Sequence, residues 1–324
     1  MGAGQIKCCG RGRLLWYLAI MKINPETQVS LTLPLIDSTL DAYGVRLNTC
    51  EEVAEGISNT VLKIVDDEKN EYFLKYYKTS HDREVVVKEV EFVGRLAITG
   101  LPVPDYIPSI TNDPVNFVSS EHGEHATTLT KAIGGSHPER YSKGLLHDLG
   151  RTHGRIHLHS VLAEPAVDFD PIRNYNFYEP NSEDLDFIYI DKAARQKIAE
   201  LQKLWMEIPS GFVPMDIKRN NIIVSNDTLV GVIDFADANT APLAFCLAGT
   251  LWDILESQNG SLSDLETYVT NYEQSRKLTS TERERLYDMV TIRGWIALHG
   301  TMLTTPDSQV AVQQKMILKR FLSN

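Results

Sequence analysis

Between Gly211 and Ala236 lies the pattern that most restricts what this chain can fold into. Asp216 is followed five residues later by Asn221, then by the apolar run Ile222-Ile223-Val224 and a turn at Asn226-Asp227. Gly231-Val232-Ile233 then leads into Asp234, thirteen residues after the Asn. Two short apolar runs about an Asn-Asp turn read as a hairpin, and a hairpin brings Asn221 and Asp234 together although they are apart in sequence. The residue types suit phosphoryl transfer, in which one carboxylate orients an attacking hydroxyl and accepts its proton, while an amide oxygen and a second carboxylate hold magnesium, which neutralises phosphate oxygens. A lone Asp-x-x-x-x-Asn is common; the second Asp beyond a hairpin gives the pattern weight.

Upstream, Thr60–Val65 and Tyr72–Tyr77 read as strands joined by the polar turn Asp66-Asp67-Glu68-Lys69-Asn70. Just before them, Gly56 in Glu55-Gly56-Ile57-Ser58-Asn59 permits backbone geometry other residues avoid. His81–Ile98 reads as a helix with Val86, Val93 and Leu96 on one face. Glu89 falls on that inward face, where a charge needs a cationic partner, while Glu84, Lys88, Glu91 and Arg95 mark the wet side. Thr99-Gly100-Leu101-Pro102-Val103-Pro104 stops the helix, Asn116–Ser120 reads as a strand, and Glu121-His122-Gly123 as a connector. From about Tyr141 the pattern is mainly helical, interrupted by Gly211–Phe235. This is α+β organisation in three parts: an extension over residues 1–29, a β-rich part over 30–123 and a mainly helical part over 124–324.

In this order the segments resemble the kinase-like phosphotransferases, which include aminoglycoside phosphotransferases, choline kinases and homoserine kinases of type II, over roughly residues 30–300. The resemblance implies a protein-kinase-like bilobal α+β fold and use of ATP and Mg2+. It makes Asp216 the catalytic base and Asn221 and Asp234 the metal ligands, and it sets Lys218 where protein kinases keep a lysine for the γ-phosphate. Gly56, Ser58 and Asn59 fall in its phosphate-covering loop, Lys75 is its α- and β-phosphate lysine, and Glu89 is that lysine's helix partner. Backbone groups of Ser119 and Glu121 fall where the family's hinge meets adenine, and Leu101-Pro102-Val103-Pro104 matches a family stretch. The run Val232–Ala248 leans towards the homoserine kinase branch. Three positions depart from the family pattern: Pro214 where a His is usual, Ala236 where protein kinases have Gly, and Cys246 where an Asp is frequent. The reaction implied is transfer of the γ-phosphate to a hydroxyl of a small molecule, such as an amino alcohol, an aminoglycoside or a homoserine-like amino acid. Two other readings stand beside it. Lys218 favours a protein kinase, which the missing His-Arg before Asp216 and the missing Ala-Pro-Glu after Asp234 oppose; Pro214 and Cys246 are the support for a non-catalytic nucleotide-binding module.

A net charge of −11 argues against general nucleic-acid binding, which needs a basic face. Four cysteines make neither a disulfide framework nor a paired zinc motif, so a reducing cytoplasm is expected. The run Leu14–Ile20 falls well short of the ~20 residues that span a bilayer, so no stable membrane insertion is expected. Residues 1–20 read as a disordered extension or as sequence upstream of a start at Met21, with lipidation at Cys8 and Cys9 the sharper alternative. His153 and His157 stand four apart on a predicted helix, but no third metal ligand is near them in sequence, which favours satisfied imidazoles. Asp184 and Asp186 lie in a segment that either meets a substrate amine or is a solvated acidic loop.

Overall fold

A computed structural model describes residues 31–53, 59–78, 83–120, 123–161, 169–171, 184–257 and 261–322. The N-terminal extension and the expected nucleotide-binding positions Gly56, Ser58 and Glu121 lie outside the described residues. The chain divides into two compact units, Met1–Ile133 and Gly134–Asn324. The sequence put this boundary at residue 123; it falls ten residues later because the strand beginning at Gly123 continues the N-terminal sheet to Lys131.

The first unit comprises α1 (Leu33–Asp41), β1 (Leu47–Glu52), β2 (Thr60–Asp66), β3 (Glu71–Tyr76), α2 (Arg83–Ile98), β4 (Tyr106–Ile107), β5 (Asn116–Ser120) and β6 (Gly123–Lys131). Its antiparallel sheet runs β1-β2-β3-β6-β4, with β5 also on β6. Every second residue of β2, from Thr60 to Asp66, is buried, the two-residue period of a strand with one face on a core. Asp66 closes the β2–β3 hairpin: its Oδ1 accepts the backbone N–H groups of Glu68 (2.9 Å) and Asn70 (2.8 Å). The core of this unit joins Ile36, Leu40 and Tyr43 to Leu62, Ile64, Leu74, Tyr76 and Leu129. Helix α1, which sequence periodicity did not indicate, starts at a Thr32 cap and packs Ile36 and Leu40 into this core. On α2 the predicted face of Val86, Glu89, Val93 and Leu96 is buried, and Val90 is buried beside it.

The second unit comprises α3 (Lys143–Leu158), α4 (Leu185–Gln202), β7 (Ser210–Val213), β8 (Ile222–Ser225), β9 (Thr228–Val232), β10 (Asn239–Pro242), α5 (Leu243–Ser257), α6 (Leu262–Tyr272), α7 (Ser280–Thr304) and α8 (Gln309–Leu322). Two small antiparallel pairs frame the segment that carries Asp216, Asn221 and Asp234. β8 pairs β9, and β10 returns to pair β7, with Asn239 opposite Val213. Residues 214–221 and 233–238 are thereby anchored at both ends. Helix α5 (LAFCLAGTLWDILES) is apolar on nearly every side and almost wholly buried, as a central core helix should be. Helix α3 runs close against α6 because a Cβ at Gly154 would stand 2.5 Å from the Tyr272 carbonyl oxygen, so only glycine permits the approach.

Candidate active site

The β8–β9 register places Ile222 opposite Val232, and the Ile233 N–H donates to the Asn221 carbonyl at 2.9 Å. Asn221 therefore abuts the residue that precedes Asp234. The Asn221 side chain also reaches Asp216. Its Nδ2 donates to the Asp216 carbonyl oxygen (2.8 Å) and to Asp216 Oδ2 (3.2 Å), which turns the amide oxygen into the acceptor left for a cation. Asp234 takes a left-handed backbone conformation, φ 58°, one that Asp tolerates better than bulkier residues, and its side chain is exposed. An amide oxygen and a carboxylate are hard donors and fit a magnesium ion. Bound there, such an ion would neutralise phosphate charge.

Lys218 Nζ lies 2.7 Å from Asp216 Oδ2. Burial alone would lower the Lys218 pKa, but the Asp216, Asp253 and Asp237 carboxylates reverse that and leave it raised. Asp216 Oδ2 is thus shared between Lys218 and Asn221, and Oδ1 has no hydrogen-bonding partner among the described residues.

The loop's backbone is held from the helix layer behind it. The Cys246 thiol donates to the Pro214 carbonyl (3.5 Å), Arg293 to the Met215 carbonyl (2.9 Å) and Thr250 Oγ1 to the Ile217 carbonyl (2.8 Å). Asp253 accepts the Arg219 N–H (3.2 Å) and the Tyr141 hydroxyl (2.6 Å). Sequence reasoning missed Thr250, Asp253 and Arg293. A signal was present: Cys246, Thr250 and Asp253 recur at helical spacing as polar breaks on one face of an otherwise apolar helix.

In the first unit, Lys75 and Glu89 converge on a pair of tyrosines. Lys75 Nζ stands 4.9 Å from the Tyr77 ring centroid, and Glu89 Oε1 accepts the hydroxyls of Tyr77 (3.0 Å) and Tyr106 (3.3 Å). Burial, then Tyr77 and Glu89, raises the Tyr106 hydroxyl pKa well above its ordinary range, while Lys75 pulls it the other way. Asn59 is buried, and its Oδ1 accepts the Lys78 N–H at 3.2 Å, which ties the start of β2 to the end of β3. Ser119 is exposed on β5, opposite Glu124. His125, unmarked by the sequence reading, is buried between Ser120 Oγ (3.1 Å) and the Tyr77 carbonyl (2.9 Å).

The sequence model of a phosphotransferase enzyme family, APH, matches residues 49–287. The chain belongs to that family. It is a small-molecule kinase with a protein-kinase-like α+β fold. Curated relatives include the homoserine kinase of Rhodospirillum rubrum, 23% identical over 75% of this chain and 77% of that protein. The homoserine kinase of Zymomonas mobilis is 24% identical over 80% of this chain and 82% of its own length. Among solved structures, an amicoumacin kinase in complex with AMP-PNP, Ca2+ and Ami superposes with a TM-score of 0.70 at 14% identity, covering 90% of this chain and 92% of that one. A microcompartment-associated aminopropanol kinase superposes at 0.67 and 17%, covering 90% and 96%.

Two of the departures from the phosphotransferase pattern, Pro214 and Cys246, meet in space at the thiol–carbonyl contact. Cys246 also lies 3.5 Å from His153 Nε2, which itself is 3.0 Å from His157 Nε2. The fold therefore brings a third group beside the histidine pair that sequence spacing did not show, with His153, His157 and Cys246 all buried and their donor atoms within 4.8 Å of one another. Each remaining ring nitrogen has a tyrosine: His153 Nδ1 with Tyr268 (3.0 Å) and His157 Nδ1 with Tyr272 (2.8 Å). With all four nitrogens paired, the cluster is complete as a neutral hydrogen-bonded network behind the Asp216 loop. Burial holds both imidazoles in the neutral form, His153 at about 3 and His157 well below the ordinary range, and pushes the Cys246 thiol up to about 12.

Proposed function

We propose that this phosphotransferase moves the γ-phosphate of ATP to the hydroxyl of a small amino-bearing acceptor, with homoserine or a homoserine-like amino alcohol as the first choice. One observation carries the reading: Asn221 touches both Asp216 and the residue preceding Asp234, so base and hard-oxygen donors gather on one short segment. The acceptor oxygen attacks the γ-phosphorus, the bond to the β-phosphate oxygen breaks, and the hydroxyl proton passes to Asp216 Oδ1. Oδ2, held by Lys218 and Asn221, fixes the carboxylate's rotation. Asn221 and Asp234 would hold Mg2+. Lys75, with Glu89 behind it, would meet the α- and β-phosphates, and Asn59 and Ser119 would border the nucleotide. Because the transition state is loose, positioning and electrostatics carry the rate. The homoserine kinase relatives support the acceptor, and the run Val232–Ala248 points the same way. The need for ATP and the buried free thiols of Cys50 and Cys246 support a cytoplasmic setting.

The test is ADP release with Mg2+ and ATP across homoserine, 1-amino-2-propanol and an aminoglycoside, for wild type and Asp216→Asn. Turnover with homoserine that falls about 10²–10⁴-fold in the variant, with nucleotide binding kept, is expected for loss of a general base. Equal turnover in the two proteins would remove Asp216 from that role.

A further inference from the structure

Arg293 lies on α7, and yet its guanidinium reaches past α5 to donate from Nη2 to the carbonyl of Met215, the residue immediately before the proposed base, at 2.9 Å. The path is open because position 249 of α5 has no side chain. A Cβ there would stand 2.7 Å from Arg293 Nη2, 2.8 Å from Nε and 2.9 Å from Cζ. On the way, Arg293 Cζ passes 5.5 Å from the centre of the Phe245 ring, also on α5. We propose that Arg293, threaded over Gly249, is a positioning residue for the phosphotransfer: it holds the Met215 peptide and so sets where the adjoining Asp216 carboxylate points. The proposal rests on Asp216 as the base.

The surrounding bonds explain why this one is decisive. The carbonyls of Pro214 and Ile217 are held by neutral donors of α5, the Cys246 thiol at 3.5 Å and the Thr250 hydroxyl at 2.8 Å. The carbonyl of Asp216 itself is held by Asn221 Nδ2 at 2.8 Å. Met215 is the peptide held from α7 by a charged donor, and charged donors make the stronger hydrogen bonds. Met215 is buried, so loss of Arg293 takes a charged donor from a largely enclosed carbonyl. A small rotation of that peptide swings the Asp216 side chain, and misplacement of about 1 Å costs a catalytic group roughly 10²-fold.

Gly249 gives the test its edge. Gly249→Ala removes no polar group. The atoms in its way are the far end of a flexible side chain, and alanine is the better helix former, so the fold survives while the guanidinium moves. The experiment compares wild type, Arg293→Met, Arg293→Lys, Gly249→Ala and the Arg293→Met/Gly249→Ala double variant, with homoserine as acceptor and Asp216→Asn as control. Arg293→Met and Gly249→Ala are each expected to lower kcat about 10- to 100-fold with the KM for ATP within about twofold. Arg293→Lys, which keeps a charged donor, should recover part of the loss. Adding Gly249→Ala to Arg293→Met should cost nothing further, because both act through one side chain. Hydrogen exchange of peptides covering residues 213–222 reads the loop even without turnover, and it should quicken in both single variants. Unchanged exchange, or single-variant effects that multiply in the double variant, overturns the proposal. Loss of turnover in Asp216→Asn with Gly249→Ala at the wild-type rate sinks this inference alone. An Asp216→Asn variant as active as wild type sinks the reading of the base beneath it.

Discussion

Lys218 Nζ and Asp216 Oδ2 form an ion pair 2.7 Å apart, so the half-exposed lysine is turned back onto the residue proposed as the base. With a phosphate bound, the same ammonium is expected to meet the charge that develops on the transferring group, a contact stronger in the transition state than in the ground state. Lys218→Met is therefore expected to lower kcat by more than tenfold, about 1.4 kcal/mol, with KM little changed. The net shift of the Lys218 pKa is upward, against the pull of burial, because Asp216 faces it. A raised lysine pKa keeps the pair formed below the ordinary lysine value of about 10.4 and loses it only as pH rises beyond that. The alkaline limb of the kcat profile should accordingly stay flat to about pH 10 as far as this lysine is concerned. A kcat within twofold of wild type in Lys218→Met would return the side chain to a structural role.

Asp234 is expected to make nucleotide binding metal-dependent. Its exposed carboxylate follows Ile233, which donates to the Asn221 backbone, so the two hard-oxygen donors share a hairpin end. Calorimetric titration of ATP should show tighter binding with Mg2+ in wild type and no such gain in Asp234→Ala. Equal affinities in all four titrations would leave the metal without these ligands.

Glu89 is 2% exposed and accepts two tyrosine hydroxyls. Removing a buried charged acceptor leaves its donors unsatisfied, at about 1–3 kcal/mol. Glu89→Ala should lower the unfolding free energy by that amount and weaken nucleotide binding, because the Lys75 ammonium lies over the same Tyr77 ring. The wild-type denaturation midpoint in Glu89→Ala would show that the carboxylate is not what orders these tyrosines.

The His153–His157 pair gives stability an acid dependence. Burial depresses both pKa values, His153 to about 3, whereas an unfolded histidine titrates near 6.5. Between these values the unfolded chain binds protons that the native chain does not, so stability falls as pH drops below about 6.5. Melting temperature should decline from pH 6.5 towards 4.5, above the range of most carboxylates, and His157→Gln should flatten that slope. Imidazolium signals from these two residues in the folded protein at pH 5.5, seen by nitrogen-edited NMR, would contradict the assignment.

What the sequence by itself determined was local or periodic. The β2–β3 and β8–β9 hairpins, the inward face of α2 with Glu89, and the Asp-Asn-Asp spacing follow from strand and helix periods and from turn chemistry, which act over a few residues. Helix α1 was not legible, because nine residues carry little period and its burial depends on a sheet formed later in the chain. The boundary at residue 133, in place of 123, was set by β6 pairing back onto β3, a contact some fifty residues long in sequence. Tertiary structure alone decided what stands behind the Asp216 loop. Cys246, Arg293 and Thr250 reach the carbonyls of residues 214, 215 and 217 only when α5 and α7 pack beneath them. The same packing delivers Cys246 to His153 and His157, whose third neighbour no spacing could announce. Side chains drawn from helices far apart in the chain meet because apolar burial brings those helices together, and burial carries no label in the sequence for which polar group will face which.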